Sequence, residues 1–134
     1  MTLQVIISKK LIPYKTAFLF LKKRVELIKK SRNRELVWIL EHPLTFTSGI
    51  RSTEKEILDK NIKIIKTNRG GKITLHSPGQ KIVYFALDLN SRKKDIKNLV
   101  KKIELSIIEF LKLYKINSHA DKKNIGIWVK DKKI

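Results

Sequence analysis

The residue types best suited to contact a ligand gather between Thr67 and Gln80, in the run TNRGGKITLHSPGQ. This run holds an arginine, three of the five glycines of the chain, and His76 directly before a Ser-Pro-Gly turn. Adjacent glycines permit positive φ angles and allow a ligand to approach the backbone amides closely. A cation, bare backbone and an imidazole could together form one wall of a binding site.

The same residues also fit a purely structural role. Gly70-Gly71 between two short strands could form an ordinary hairpin turn, and a lone histidine is more often a structural hydrogen-bonding residue. A phosphate-binding loop is excluded, because no glycine stands five residues before Gly71 and no Ser or Thr follows Lys72. His42, in LEHP at a strand end, allows the same two interpretations. His119 lies in a predicted polar loop without a metal-ligand partner at suitable spacing.

Composition limits the classes of function. The 134 residues contain no cysteine, which excludes disulfides, thiolate metal sites and a cysteine nucleophile supplied by this chain, and which fits a cytoplasmic location. There is no signal-peptide layout and no apolar run of membrane-spanning length. The 31 Lys and Arg against 12 Asp and Glu give a net charge of +19, which favours polyanionic partners. Compositional drift could produce the same charge, so the charge alone assigns no function.

Two amphipathic helices are predicted from apolar residues at helical spacing. The first begins at Tyr14, and the second runs from about Asp95 to Tyr114. Thr53 and Glu56 form a capping-box pattern that predicts a brief helix. Strands are predicted for LQVIIS, LVWIL, LTFTSG, IKIIKT, KITL, KIVYFALDL and IGIWV.

These elements interleave without a repeat, linker or domain boundary. They predict a single α+β (mixed α/β) domain over residues 1–134, with one mixed sheet and two main helices. Trp38 and Trp128 are predicted to lie in the core. Asp131-Lys132 is predicted to form a hairpin turn, so that Lys133-Ile134 begins a returning strand and the sequence looks cut short within a sheet.

Three separated motifs resemble the lipoyl(octanoyl) transferases, the lipoate-protein ligase B family. LEHPLTFTSG, RGGKITLHSPGQ and GIWVKDKKI match the family patterns LEHPPVYTxG, RGGxxTYHGPGQ and GVWVxxxKIAxIG in order and approximate spacing. Ser77 replaces a glycine of the pattern and Leu75 replaces a tyrosine, and either could reshape the pocket. The matching positions are Leu40, Glu41, His42, Pro43, Thr47, Gly49, Arg69, Gly70, Gly71, Thr74, His76, Pro78, Gly79, Gln80 and Lys133.

The resemblance implies the fold of the biotin and lipoate ligase catalytic domain, C-terminally incomplete here. It implies lipoate biosynthesis, with an octanoyl group moving from acyl carrier protein to a lysine of a lipoyl domain in 2-oxoacid dehydrogenase complexes or glycine cleavage H protein. No cofactor and no metal are implied. Lys133 takes the place of the family lysine that lowers the pKa of the catalytic cysteine. The implied substrate wall comprises Arg69, Gly70, Gly71, Lys72, Ile73, Thr74, Leu75 and His76.

In the family that this chain resembles, the nucleophile is a cysteine in a later segment. Because these 134 residues hold no cysteine, we expect the chain to be incompetent for transfer as it stands. One alternative is a non-catalytic remnant that still binds acyl carrier protein or octanoate. A basic nucleic-acid-binding domain is the weakest alternative, because no nucleic-acid motif is present and few aromatic residues interleave with the basic segments. No membrane partner is expected.

Overall fold

The computed structural model describes residues 2–121 and 124–134. The fold class is α+β with two main helices, as predicted. Among the described residues, neither helix has the length and apolarity needed to cross a membrane. The helices are α1 (Tyr14–Lys29) and α2 (Ile96–Leu113). The strands are β1 (Leu3–Ile7), β2 (Glu35–Leu40), β3 (Thr45–Ser48), β4 (Ile64–Lys66), β5 (Ile73–His76), β6 (Ile82–Ala86), β7 (His119–Ala120), β8 (Ile127–Val129) and β9 (Lys132–Lys133).

In the described part of the chain the strands form three three-stranded sheets, so the prediction of one mixed sheet is wrong. The chain bends at residues 43–44, where Pro43 cannot donate a ladder hydrogen bond, and β3 therefore starts a separate sheet after β2. The fold divides into two compact units, one ending at Asp88 and one beginning at Leu89. The first unit holds the sheets β1-β2-β6 and β4-β3-β5, and the second holds the sheet β7-β8-β9.

The core of the first unit lies between α1 and the sheet β1-β2-β6. Strand β2 is central, with β1 parallel on one side and β6 antiparallel on the other. The α1 helix makes the crossover that a parallel pair requires. Trp38 lies in this core as predicted, and its indole Nε1 donates to the Ser8 hydroxyl at 2.9 Å. The buried core residues are Ala17, Ile28, Leu36, Trp38, Leu40 and Ala86.

Arg24 is a buried cation on the inner side of α1. Its Nη1 donates to the Gln4 side chain at 2.8 Å, to the Asn33 side chain at 3.2 Å and to the Arg34 carbonyl at 3.3 Å. The guanidinium also lies 5.5 Å from the centre of the Phe20 ring. These contacts tie α1 to β1 and to the loop before β2, which holds the helix in place over the sheet.

Strand β3 is the central strand of the second sheet, between a parallel β4 and an antiparallel β5. The segment from Thr67 to Lys72 therefore does not form a hairpin, and the hairpin interpretation of Gly70-Gly71 is wrong. Instead it passes from one side of β3 to the other, beyond the end of that strand. The brief helix predicted after Thr53 is a 3-10 turn at Glu54–Glu56, and the Glu56 carboxylate accepts from the Thr53 amide at 3.1 Å.

The second unit contains α2 and the sheet β7-β8-β9. Asp95 caps the helix by accepting from the Asn98 amide at 2.9 Å, which confirms the predicted start. Ile127 on β8 is buried, whereas Trp128 is only half-buried. The prediction that Trp128 lies in the core is therefore wrong. The indole of Trp128 instead donates to the Asn124 carbonyl at 3.0 Å.

Differences from the strand predictions include the final turn, His119 and the end of the longest predicted strand. The final turn lies at Lys130-Asp131, one residue earlier than predicted, because Lys130 adopts a φ of 52° and Lys132 already pairs with Val129. His119, predicted in a loop, forms the short strand β7 opposite Trp128. The strand predicted for KIVYFALDL ends at Ala86, and the Asp88 amide beyond it donates to the Glu35 carboxylate at 2.7 Å.

Candidate functional site

The loop between β4 and β5 is fastened to the backbone that follows β3. The Ile50 amide donates to the Arg69 carbonyl at 3.0 Å, and the Gly49 amide donates to the Lys72 carbonyl at 3.1 Å. A Cβ placed on Gly49 would lie 2.4 Å from the Gly71 carbonyl oxygen. Two backbone segments of this site therefore approach each other most closely at Gly49, which lies against the backbone of Gly70 and Gly71.

The two loop glycines serve different needs. Gly71 has a φ of +82°, in the left-handed region that favours glycine. Gly70 has open space where a Cβ would stand and an ordinary φ. The positive φ at Gly71 turns the chain back toward β5, whereas Gly70 leaves one side of the loop without a side chain.

The guanidinium of Arg69 binds inward, to Thr47 of β3. Its Nε and Nη2 donate to the Thr47 hydroxyl oxygen at 3.2 and 2.8 Å, and Nη2 also donates to the Thr47 carbonyl at 2.9 Å. Nη1 donates to the Gly70 carbonyl at 2.9 Å. Arg69 thus positions both the loop and the fully buried Thr47. Most of the N–H donors of its guanidinium are bound to oxygens of the protein.

His76, at the end of β5, is 9% exposed and lies against the same threonine. Its Nε2 is 3.5 Å from the Thr47 hydroxyl oxygen, and Nδ1 makes no hydrogen bond of normal geometry within the described residues. Burial lowers the pKa of His76, and the neighbouring His42 and Arg69 lower it further, while Gln80 partly opposes the shift. The lowered pKa favours the neutral form of the His76 ring at neutral pH.

His42 is fully buried between two oxygen partners. Its Nδ1 lies 2.6 Å from the Ile12 carbonyl, which can only accept, so Nδ1 carries a hydrogen. Its Nε2 lies 2.9 Å from the Tyr84 hydroxyl. Burial, together with nearby Tyr14, raises the pKa of Tyr84 to about 12, so the hydroxyl keeps its hydrogen and can donate it to Nε2 of His42.

Four aromatic rings meet in what we term the histidine cluster: Tyr14, His42, His76 and Tyr84. The two histidine rings lie 5.4 Å apart, and the Tyr14 ring lies 5.3 Å from His42 and 5.7 Å from His76. Sequence reasoning singled out both histidines and missed both tyrosines as their partners. Tyr14 opens α1 and was assigned to its apolar stripe, and the alternation of KIVYFALDL carries no sign of a hydrogen-bonding tyrosine.

A groove of about 230 Å³ opens beside the histidine cluster. Tyr14 belongs to both, because its ring contacts His76 and also lines the groove. The remaining lining is mainly apolar and comes from α1 and from β4 with the residue after it. The lining residues are Tyr14, Lys15, Phe18, Leu19, Ile65, Lys66 and Thr67.

The residues of the predicted substrate wall, Arg69 to His76, lie in several different environments. Arg69, Thr74 and His76 lie around Thr47, since Thr74 is the strand partner of Thr47. Ile73 lines a second groove, of about 200 Å³, on the same unit. Leu75 is exposed.

Lys72 of this wall forms an exposed ion pair with Glu56. The hydrogen bond from Lys72 lowers the pKa of the Glu56 carboxyl, and the Thr53 amide adds to that shift. Lys72 therefore closes the loop against the 3-10 turn. In the described residues, His, Asp and Glu side chains do not gather in a group of three that could hold a metal ion.

Lys133 lies in the second unit, on β9, where it pairs with Trp128 of β8. Its Nζ donates to the Ile125 carbonyl at 2.7 Å. The side chain passes directly over Gly126, because a Cβ on that glycine would stand 2.4 Å from the Lys133 Cε. Gly126, which has a φ of +140°, lacks the Cβ that would collide with the lysine, so the Lys133 side chain can cross it.

Residues 13–134 match the family described as the lipoyl protein ligase A/B catalytic domain. An octanoyltransferase of Wolbachia sp. subsp. Brugia malayi is 41% identical over 125 residues, which cover 92% of this chain and 61% of the relative. An octanoyltransferase of Anaplasma marginale is 38% identical over 125 residues, which cover 92% of this chain and 58% of the relative. The chain thus spans about 60% of the length of these relatives.

Two solved structures share the fold. The T. acidophilum protein Ta0514, a proposed lipoate protein ligase, aligns with a TM-score of 0.64 and 15% identity, covering 98% of this chain and 59% of its own. P. falciparum LipL1, in complex with lipoate, aligns with a TM-score of 0.57 and 16% identity, covering 98% and 42%. These likenesses confirm the predicted lipoate ligase-like fold.

Proposed function

Because this chain belongs to the lipoyl protein ligase A/B catalytic domain family, we propose that it binds an octanoyl group for an octanoyl transfer reaction. The observation that carries this proposal is the mainly apolar groove that meets the histidine cluster at Tyr14. An alkyl chain gains about 0.8 kcal/mol for each methylene it buries. The cluster beside the groove offers polar atoms for the acyl carbonyl.

The transfer step itself needs a nucleophile that these residues do not include. In the proposed reaction a thiolate attacks the thioester of octanoyl-acyl carrier protein, the carrier thiol leaves, and the acyl group passes to a lysine amine of a lipoyl domain. The chain has no cysteine, so that thiolate must come from outside these 134 residues. Lys133 is proposed to lower the pKa of that thiol by its positive charge.

The charge of the chain suits the proposed partners. A net charge of +19 attracts acidic surfaces over distances of about a Debye length and speeds association at low salt. We propose octanoyl-acyl carrier protein as the donor and lipoyl domains as acceptors, on the expectation that both present acidic surfaces. Their binding should then weaken steeply as salt is added.

An octanoyl-transfer assay tests the transfer proposal. The chain alone is mixed with octanoyl-acyl carrier protein and an apo lipoyl domain, and mass spectrometry measures the mass of the acceptor. We expect no transfer above the uncatalysed background. Transfer by the chain alone would show that a cysteine-free route exists, and the requirement for an outside thiolate would be wrong.

Binding of octanoate tests the acyl-binding proposal separately. Titration followed by amide chemical shifts should give an affinity for hexanoate roughly fifteen-fold weaker than for octanoate, since two fewer methylenes lose about 1.6 kcal/mol. Leu19→Asn, in the groove, should weaken octanoate binding. Leu58→Asn, in the second groove, is the matched control and should not. Equal affinity for both acids, or equal effects of both variants, would place the acyl chain elsewhere.

The alternative is a non-catalytic remnant that retains binding. It predicts the same octanoate affinity and, for the chain alone, the same absence of octanoyl transfer. The two differ once a cysteine-bearing segment of a related octanoyltransferase is added in trans: acceptor octanoylation then supports a half-enzyme, and continued silence supports the remnant.

A further inference from the structure

The hydroxyl oxygen of Thr47 has no capacity to accept a further hydrogen bond. A hydroxyl carries two acceptor lone pairs and one hydrogen. Both lone pairs are occupied by Arg69, through Nε at 3.2 Å and Nη2 at 2.8 Å. Thr47 is fully buried, so water does not compete for these positions.

The hydrogen of the Thr47 hydroxyl has two acceptors within reach, the Thr74 carbonyl and Nε2 of His76, each at 3.5 Å. With either acceptor, Nε2 of His76 cannot donate to Thr47, because no lone pair remains there. Nε2 therefore faces a hydroxyl that can donate a hydrogen bond but cannot accept one, and an unprotonated nitrogen suits that neighbour. Burial lowers the pKa of His76, so the neutral ring has one hydrogen to place.

We propose that Arg69 is a positioning residue which, through the Thr47 hydroxyl, holds His76 as the neutral tautomer with its hydrogen on Nδ1. The guanidinium does this by filling the oxygen lone pairs and polarising the hydroxyl, so that the hydroxyl can donate to the ring but cannot accept from it. The assignment rests on the hydrogen-bond geometry around Thr47 and does not depend on the acyl-transfer function.

The consequence is a hydrogen-bond donor that the protein satisfies poorly. Nδ1 of His76 is buried and makes no hydrogen bond of normal geometry within the described residues, although the Gln80 side chain lies near enough to the ring to raise its pKa. A buried N–H left unpaired is costly, so a ligand that supplies an oxygen acceptor recovers that cost. If the proposed function holds, this acceptor is an oxygen of the acyl group, positioned where the groove meets the histidine cluster at Tyr14.

Long-range 1H–15N correlation spectra of the imidazole rings test the tautomer directly, because protonated and bare ring nitrogens resonate differently. His42 is an internal reference, since the Ile12 carbonyl fixes its hydrogen on Nδ1. His119→Gln removes the exposed third ring from the spectrum. We expect His76 to show a bare Nε2 and a protonated Nδ1. A protonated Nε2 in the neutral ring would overturn the proposal.

Substitutions at Thr47 separate positioning from folding. Thr47→Val keeps the shape but removes the hydroxyl, so His76 should lose its single tautomer, whereas Thr47→Ser should retain it. Thr45→Val is the matched control on the same strand, because the Thr45 hydroxyl donates to the Pro43 carbonyl instead. Amide spectra check that each variant folds. A His76 spectrum unchanged in both folded Thr47→Val and folded Arg69→Gln would refute the positioning role.

Octanoate addition distinguishes the inference from the proposed function. Bound octanoate should shift the Nδ1 signal of His76, and Thr47→Val should weaken octanoate binding by roughly three- to ten-fold. Octanoate that binds without moving the Nδ1 signal would contradict the ligand contact and leave the tautomer assignment standing. Absence of octanoate binding would contradict the proposed function alone.

Discussion

Gly49 and Gly70 lie on opposite sides of the same backbone contact and tolerate a methyl group very differently. A Cβ on Gly49 would stand 2.4, 2.7 and 2.9 Å from three carbonyl oxygens of residues 69–71, whereas Gly70 has nothing within 4 Å. Gly49→Ala should destabilise the protein by about 3 kcal/mol or more, because backbone atoms must move. Gly70→Ala should stay within about 0.5 kcal/mol of the parent. Urea unfolding measures both, and similar losses in the two variants would contradict the contact.

His76 should give the stability a specific pH dependence. Its pKa in the folded protein is depressed below the unfolded value of 6.5, so the unfolded state binds more protons below that pH. Stability is therefore fully present above pH 6.5 and is lost as the pH falls toward the folded pKa. Glu41 and Glu56, whose pKa values are lowered from 4.5, act only below that value.

The change to make is His76→Asn, which should flatten the free energy of unfolding between about pH 7.5 and about pH 5.5. His119→Asn, at an exposed ring, is the control and should keep the slope of the parent. Urea unfolding at several pH values gives the result. An unchanged slope in His76→Asn would assign the pH dependence to other groups.

At the scale of elements, the β8–β9 hairpin depends on Gly126 to position Lys133. Gly126→Ala places a methyl group against the Lys133 side chain and forces a residue with a Cβ to a φ of +140°. We expect a loss of roughly 1–3 kcal/mol, seen as faster exchange of the Ile134 amide, which donates to the Ile127 carbonyl at 3.0 Å.

A second substitution divides that loss into its two causes. Lys133→Ala in the Gly126→Ala background removes the collision and leaves the backbone strain, so part of the protection should return. Full recovery would mean that the φ angle costs nothing. No recovery would mean that the lysine does not pass over Gly126.

Helices and strands could be located from the sequence, but which strands pair and which side chains become buried could not. Helical spacing predicted α1 and α2, and Asp95 marked the start of α2, because caps and apolar stripes are local features. Pairing is not local, so the sequence allowed β4 and β5 to pair directly as a hairpin around Gly70-Gly71, whereas β3 lies between them in the sheet. Arg24 was missed for a related reason, since an arginine among lysines gives no sign that it will be buried.

The site shows the same division. The loop run and both histidines stood out from residue type and spacing alone. Their hydrogen-bond partners, Thr47, Tyr84 and Ile12, come from other strands and from the segment before α1, so only the fold brings them together. The substrate-wall role of residues 69–76 and the role of Lys133 stay predictions.

For the whole molecule, the two units should differ in stability. Among the residues that the structure describes, the first unit buries six apolar residues around β2, whereas α2 buries none, and its Ile96 and Phe110 are more than half exposed. Amide hydrogen exchange should therefore be much slower in β2 than in α2. Equal protection in the two elements would show that they unfold as one cooperative body.

The tie between the 67–72 loop and residues 49–51 has a further consequence, for proteolysis. Trypsin cuts after lysine or arginine only where the chain can be pulled into an extended form, and loop tips usually allow this. Here the carbonyls of Arg69, Gly71 and Lys72 each hold an amide of residues 49–51. This loop should resist cleavage longer than the exposed Lys9-Lys10 bend, although it is also rich in sites that trypsin accepts.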